Sequence, residues 1–249
     1  MFAGLGALLG AVIGSFIATL VIRWPQNKSV ITGRSACDHC AAPVHPRDLF
    51  PIFSFVALGG KCRSCRGPIQ RDHVIIEVIS ALVGAVAIGL KPDSEGLAGA
   101  AFGWTLIALA ALDLKYFWLP DKLTAMLALG GIVTGLAGVD PSLSDRLWGG
   151  FAGFLSLFLI SVLYRLIRKR DGLGGGDPKL LGAIGLWLGW QVLPGIVLGA
   201  SVIGLLWGAV GMLRGRLLDS KARIPLGTLL VIAAMCAWTC QHTQLFRPT

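Results

Sequence analysis

Charge is scarce in this 249-residue chain: Asp, Glu, Lys and Arg make up 14% of it, against 55% hydrophobic residues. A soluble domain carries about a quarter charged residues, so a soluble globular fold is excluded. The mean hydropathy of +0.74 points the same way. The aliphatic content also excludes a disordered or collagen-like chain, although there are 34 glycines. Glycine suits membrane helices, where small residues let backbones approach closely. A cleavable signal peptide is not expected, because the first apolar run lacks a basic segment before it and a small-residue cleavage site before Arg23. The glycine-rich stretch Gly172–Gly176 lacks the G-x-x-x-x-G-K-[ST] pattern and a preceding strand, which excludes a phosphate-binding loop.

What the chain does contain is apolar runs. Eight candidate spans lie at roughly 3–22, 74–90, 97–114, 122–139, 147–164, 178–193, 195–213 and 225–241. Several fall short of the roughly 20 residues that cross a bilayer comfortably, and the pair around Pro194 admits one re-entrant segment instead. The expected fold is therefore an all-α polytopic membrane protein with about eight transmembrane helices. In the first span Gly6, Gly10 and Gly14 recur every fourth residue, as on a face packed against another helix. The eight tryptophans fall mostly near predicted interfaces, where an aromatic belt is expected.

All but three of the 22 Lys and Arg residues fall in the segments 23–73, 115–122, 165–179 and 214–224; the exceptions are Lys91, Arg146 and Arg247. By the positive-inside rule these basic segments are cytoplasmic and both termini lie outside. The net charge of +9 is thus a topology signal. Spread over loops that flank spans, it does not form the basic face that nucleic-acid binding requires.

Residues 23–73 interrupt the apolar pattern. They divide the chain into a first membrane helix (1–22), a cytoplasmic loop domain (23–73) and a membrane core (74–249). The loop carries Cys37-Asp38-His39-Cys40 and Cys62-Arg63-Ser64-Cys65, two C-x2-C pairs with 21 residues between them. Each pair places two thiolates on one side of a tight turn, and two such knuckles close a tetrahedral zinc site with no open position. The metal would supply folding energy that a loop of about 50 residues cannot draw from a core alone. Two disulfides are the competing reading, disfavoured in a reducing cytoplasm. His39 and His45 are substitute ligands, but four cysteines already fill the site. Cys236 and Cys240, four residues apart in the last span, read as ordinary buried small residues.

Acidic residues in or beside the spans are few, and an ionisable group there is costly and usually functional. Asp113 ends the third span and Asp177 opens the sixth, both at the predicted cytoplasmic face. Two carboxyls that share one proton suit aspartyl proteolysis: one acts as base toward water and the other donates to the scissile carbonyl. Gly174 and Gly176 leave room for substrate and permit unusual backbone angles, and Pro178 suits a first helical turn. Taken singly, Asp177 also reads as a helix N-cap and Asp113 as a partner of Lys115. Lys179 either holds substrate or snorkels to the interface. Asp121 reads as a cap or turn residue, and Glu77 as structural rather than as a methyl-transfer group.

Together these residues resemble the type IV prepilin peptidases. The resemblance runs through Gly14-Ser15-Phe16, Arg23-Trp24-Pro25, the doubled C-x2-C loop with Pro46-Arg47-Asp48, the stretch Arg71 to Glu77, Asp113 with Leu119-Pro120-Asp121, Gly174-Gly175-Gly176-Asp177-Pro178-Lys179 and Ile224-Pro225-Leu226-Gly227. It implies that Asp113 and Asp177 are the catalytic pair, cleaving a short basic leader from prepilins and pseudopilins at the bacterial inner membrane. It also implies methylation of the new N-terminal amine with S-adenosylmethionine. The chain departs from the family pattern at Ala18, Thr19, Lys115 and Thr228; at the last of these many members have proline. A transporter using the two aspartates as a proton or cation relay is the alternative. It calls for mid-span carboxylates and an internal repeat of broken helices, neither of which is seen in the sequence.

Overall fold

The computed structural model describes residues 1–30, 37, 39–40, 42–170, 172–213 and 224–243. Arg34, Asp38 and Arg247, and the cations Arg214, Arg216, Lys221 and Arg223 of the expected last basic loop, lie outside the described residues. Among those described, helices account for all regular structure. They are α1 (Phe2–Arg23), α2 (Phe53–Ala57), α3 (Arg71–Leu90), α4 (Ser94–Tyr116), α5 (Asp121–Leu136), α6 (Leu143–Arg168), α7 (Asp177–Leu188), α8 (Leu193–Leu213) and α9 (Leu226–His242).

Each of the eight expected spans is occupied by a helix. Five of them, α1, α3, α4, α6 and α8, are long and apolar enough to cross a membrane. The other three have 16, 12 and 17 residues. At about 1.5 Å per residue, α7 reaches only about 18 Å, well short of a hydrocarbon core about 30 Å thick. The segment around Pro194 is two helices rather than one re-entrant piece. Gly189, at φ 80°, ends α7, and Pro194 sits in the first turn of α8, where a missing N–H leaves no gap.

The chain forms two compact units, residues 1–108 and 109–249, with the boundary inside α4. In the first unit α1 packs along α3. The glycine face meets its partner here: Gly6 lies against the Gly84 backbone and Gly10 against that of Ser80, while a Cβ at Gly14 would stand 2.8 Å from Glu77 Cα. The Trp104 indole donates to the Ser80 carbonyl at 3.0 Å, joining the middle of α4 to α3. Glu77 is buried and accepts the N–H of Ile52 at 2.8 Å. Ile52 has φ 63°, a conformation rare for a β-branched residue. The structural reading of Glu77 therefore fits: it fastens the loop to α3.

In the second unit α7 lies between α5 and α6, and α8 lies along α9. Nearly every residue of α7 is buried. Arg146, which the charge pattern places among the outward-loop cations, is instead inside the first turn of α6 and 1% exposed. Its guanidinium donates to the carbonyls of Pro141, Gly131, Leu186, Val139 and Asp140 and to the Thr134 hydroxyl, at 2.9–3.2 Å. It thereby joins α5, α6 and the end of α7. One expectation is corrected and another narrowed. Trp104, Trp187 and Trp238 are buried rather than interfacial; the Trp187 indole donates to the Leu127 carbonyl at 2.6 Å, since a polar group without water must find a partner. Cys236 and Cys240 are exposed, not buried, and border a groove between α8 and α9.

Candidate active site and metal centre

Two chemistry-bearing clusters emerge, one in each unit. The first is the thiol set. A turn running Cys62–Gly67 is closed by Cys62 N–H donating to the Gly67 carbonyl at 2.8 Å, and Lys61 bridges to Pro68. On the other pair, the Cys37 N–H reaches the Ala42 carbonyl at 2.9 Å. These turns bring the sulfurs of Cys37, Cys40, Cys62 and Cys65 within 4.8 Å of one another, with Cys37 and Cys65 at 3.8 Å. Sulfurs tetrahedrally bound at about 2.3 Å from zinc stand about 3.8 Å apart, so the set fits that ion, and all four cysteines are free thiols. Backbone N–H groups of Cys65 and Ser64, helped by Cys37, hold the Cys62 thiol down at about 6, while Cys40, Cys62 and Cys37 push the Cys65 thiol up to about 11, so the set favours one thiolate at Cys62. His39 and His45 are both exposed and neither belongs to the set, though His39 lies near it, against Gly67.

The second cluster is the pair of carboxylates. Asp113 lies in the last turn of α4 and Asp177 is the first residue of α7; both are 5% exposed. Leu119, in the turn between α4 and α5, packs between their supports. A Cβ on Gly176 would fall 2.7 Å from Leu119 Cβ, and one on Gly227 would fall 3.1 Å from Leu119 Cδ1 and 3.0 Å from Asp113 Oδ2. Close approach, and not unusual backbone angles, is what these glycines provide; Gly176 has an ordinary helical φ of −82°.

Asp177 does not cap its helix. Gly176 occupies the cap position without a side-chain bond, and Asp177 Oδ2 reaches back to accept the Gly174 N–H at 3.0 Å. Asp113 Oδ2 accepts two donors from the start of α9, the Thr228 N–H at 2.8 Å and the Thr228 hydroxyl at 3.1 Å. Thr228 is the site residue that sequence reasoning passed over. It registers there only as a departure from a family pattern, and nothing local shows a residue 115 positions away meeting Asp113. Lys179 pairs with Asp121 at 2.7 Å, linking the first turns of α7 and α5; both are largely exposed.

A multi-pass helical membrane protein with a four-thiol centre and two buried, neighbouring carboxylates is the class that fold and site define. The chain matches the Bacterial Peptidase A24 N-terminal domain over residues 8–90 and the Type IV leader peptidase family over residues 100–209. It is 38% identical to the prepilin leader peptidase/N-methyltransferase of Aeromonas hydrophila, across 86% of this chain and 73% of that one. To the protein of the same name from Burkholderia pseudomallei it is 37% identical, across 90% and 80% respectively. The one from Pseudomonas aeruginosa is 33% identical, across 96% and 91%. No solved structure matches significantly. The chain belongs to the type IV leader peptidase family, which leaves the transporter alternative without support.

Proposed function

We propose that this protein is a membrane aspartyl endopeptidase that removes the basic leader of type IV prepilins and pseudopilins, with Asp113 and Asp177 as its catalytic pair. The observation that carries the reading is that two acids 64 positions apart in sequence are both buried, with Gly176 beside Asp177 and Gly227 beside Asp113 packed on the same Leu119 side chain. Two carboxyls that share a site hold one proton between them, because repulsion keeps both from ionising. One takes a proton from water, whose oxygen attacks the scissile carbonyl carbon. The other donates its proton to the carbonyl oxygen. Collapse of the tetrahedral intermediate breaks the C–N bond, and the amine leaves with a proton from the pair.

Gly174 supports this by donating its N–H to Asp177, and Gly176 by letting Leu119 close beside it. Lys179 supports it through Asp121, which it holds across the ends of α7 and α5. We place the site at the cytoplasmic face of the bacterial inner membrane, where a basic leader stays in water while the adjoining apolar helix enters the bilayer. Residues 1–22, 23–73 and 74–249 serve as first membrane helix, cytoplasmic zinc-binding loop and peptidase core. Cys37, Cys40, Cys62 and Cys65 would hold a structural Zn2+, which closes the loop fold and takes no part in hydrolysis. Methylation of the new N-terminus with S-adenosylmethionine is the second activity, supported by the double name of the relatives and the match over residues 8–90.

The test is leader removal from a prepilin by purified protein in detergent or lipid. Asp113→Asn and Asp177→Asn each abolish it while the protein still accumulates and retains its metal; cleavage surviving in either variant sinks the pair.

A further inference from the structure

The two carboxylates are anchored differently, and the difference lies in α9. Asp177 receives one donor, the Gly174 N–H. Asp113 receives two on a single oxygen, the N–H and the hydroxyl of Thr228. Among the described residues no hydrogen-bond donor meets the other oxygen of either acid, so each presents one held and one open oxygen.

The origin of the asymmetry is the register of α9. Its first residue is Leu226, which makes Thr228 the third. The first four N–H groups of a helix have no partner within it, so the Thr228 N–H is available, and the positive end of the helix favours an anion at that place. The hydroxyl has one proton and two acceptors in range, Asp113 Oδ2 at 3.1 Å and the Ala110 carbonyl at 3.1 Å. Against an ionised Asp113 the proton turns to the carboxylate, because a charge-assisted bond is roughly twice as strong as a neutral one. Against a protonated Asp113 it turns to Ala110 and the hydroxyl oxygen becomes the acceptor. The first turns of α9, Leu226 to Leu230, bring no charged side chain. Among the described residues the charged groups on the elements that meet here are Asp177 at the start of α7, the exposed Lys179–Asp121 pair joining α7 to α5, and Lys115 two residues on along α4.

We propose that Thr228 is a positioning residue that holds Asp113 as the ionised member of the pair, so that Asp113 is the base toward water and Asp177 carries the proton given to the scissile carbonyl. This rests on the reading of the two acids as the catalytic pair and assigns their separate roles.

The experiment is the pH profile of kcat/KM for prepilin cleavage by the wild type, Thr228→Val, Thr228→Ser and Thr228→Pro. Valine keeps the N–H and the shape but removes the hydroxyl. Losing a donor to the base makes the base easier to protonate, so the acid limb moves to higher pH, by about half to one unit for one hydrogen bond. At neutral pH kcat falls several-fold while KM changes less than twofold. Serine, which keeps both donors, returns the limb toward its wild-type position. Proline, tolerated in a first helical turn, removes both donors and widens the shift. Thr228→Ala is the hydroxyl-free replacement if the valine variant does not accumulate. Movement of the alkaline limb instead would put the proton on Asp113 and overturn the role assignment. A profile unmoved in both limbs, with Asp113→Asn inactive, reduces Thr228 to packing and overturns the proposal alone. Cleavage by Asp113→Asn overturns the pair itself, and the role with it.

Discussion

The thiol centre and the carboxylate pair are built on opposite principles. Each half of the thiol set is made by a short local turn, such as the six-residue closure of Cys62 onto Gly67, and little apolar burial surrounds it. The carboxylate pair has no local element. Asp113, Asp177 and Thr228 come from three helices and meet only because α7 is packed on most sides and α9 begins against the end of α4. A local site depends on its metal and its turns, whereas a non-local site depends on every contact that sets helix positions. Damage to one should therefore leave the other intact.

The largest effect expected is the loss of leader cleavage in Asp113→Asn or Asp177→Asn, about a thousand-fold or more, with bound zinc unchanged. A simultaneous loss of metal would break the comparison. Next is Cys37→Ser with Cys62→Ser. Metal analysis should fall from one zinc per chain to none, and the 23–73 segment should become open to proteolysis, because structural zinc contributes about 10 kcal/mol or more to such folds. The melting of the helices in residues 109–249 should stay where it was.

Arg146→Met tests the non-local site from its far side. It strips donors from carbonyls of α5, α7 and the turn before α6, so a loss of about 3 kcal/mol or more is expected, read as a lowered melting temperature with zinc content intact. A smaller step is Gly176→Ala, which sets a methyl 2.7 Å from Leu119 Cβ. It should lower kcat about tenfold, given how sharply rate falls with small misplacement. Gly175→Ala, with nothing within 4 Å, should be silent. The smallest effect belongs to Lys179→Ala. Its pair with Asp121 is exposed, so at most about 1 kcal/mol of stability is at stake, and a twofold or smaller change in cleavage at physiological salt is expected.

Much of this was legible in the order of residues. Apolar runs mark helices because the bilayer demands internal hydrogen bonding, and the eight helices other than α2 lie where the runs are. The doubled C-x2-C spacing is itself geometric information, since a tight turn needs no distant partner. Acids beside membrane spans stand out because burying charge is expensive. Gly6, Gly10 and Gly14 announced a packing face, but their partner, the Gly84–Glu77 side of α3, needed the fold. Arg146 looked like an outer-loop charge because sequence counts cations and cannot show five carbonyls converging on one. Cys236 and Cys240 were misjudged because a helix in lipid can turn either face outward.

By itself, then, the sequence determined the class of fold and the thiol cluster, and it singled out the two acids proposed as the catalytic pair. All three follow from local composition and spacing read against solvent and bilayer. Only tertiary structure decided that α7 is too short to cross alone, and that Asp177 reaches back to Gly174 instead of capping its helix. It also decided that α9 aims the N–H and hydroxyl of Thr228 at Asp113. Those are matters of helix packing, set by small differences among many contacts far apart in the chain, and no short stretch of residues encodes them.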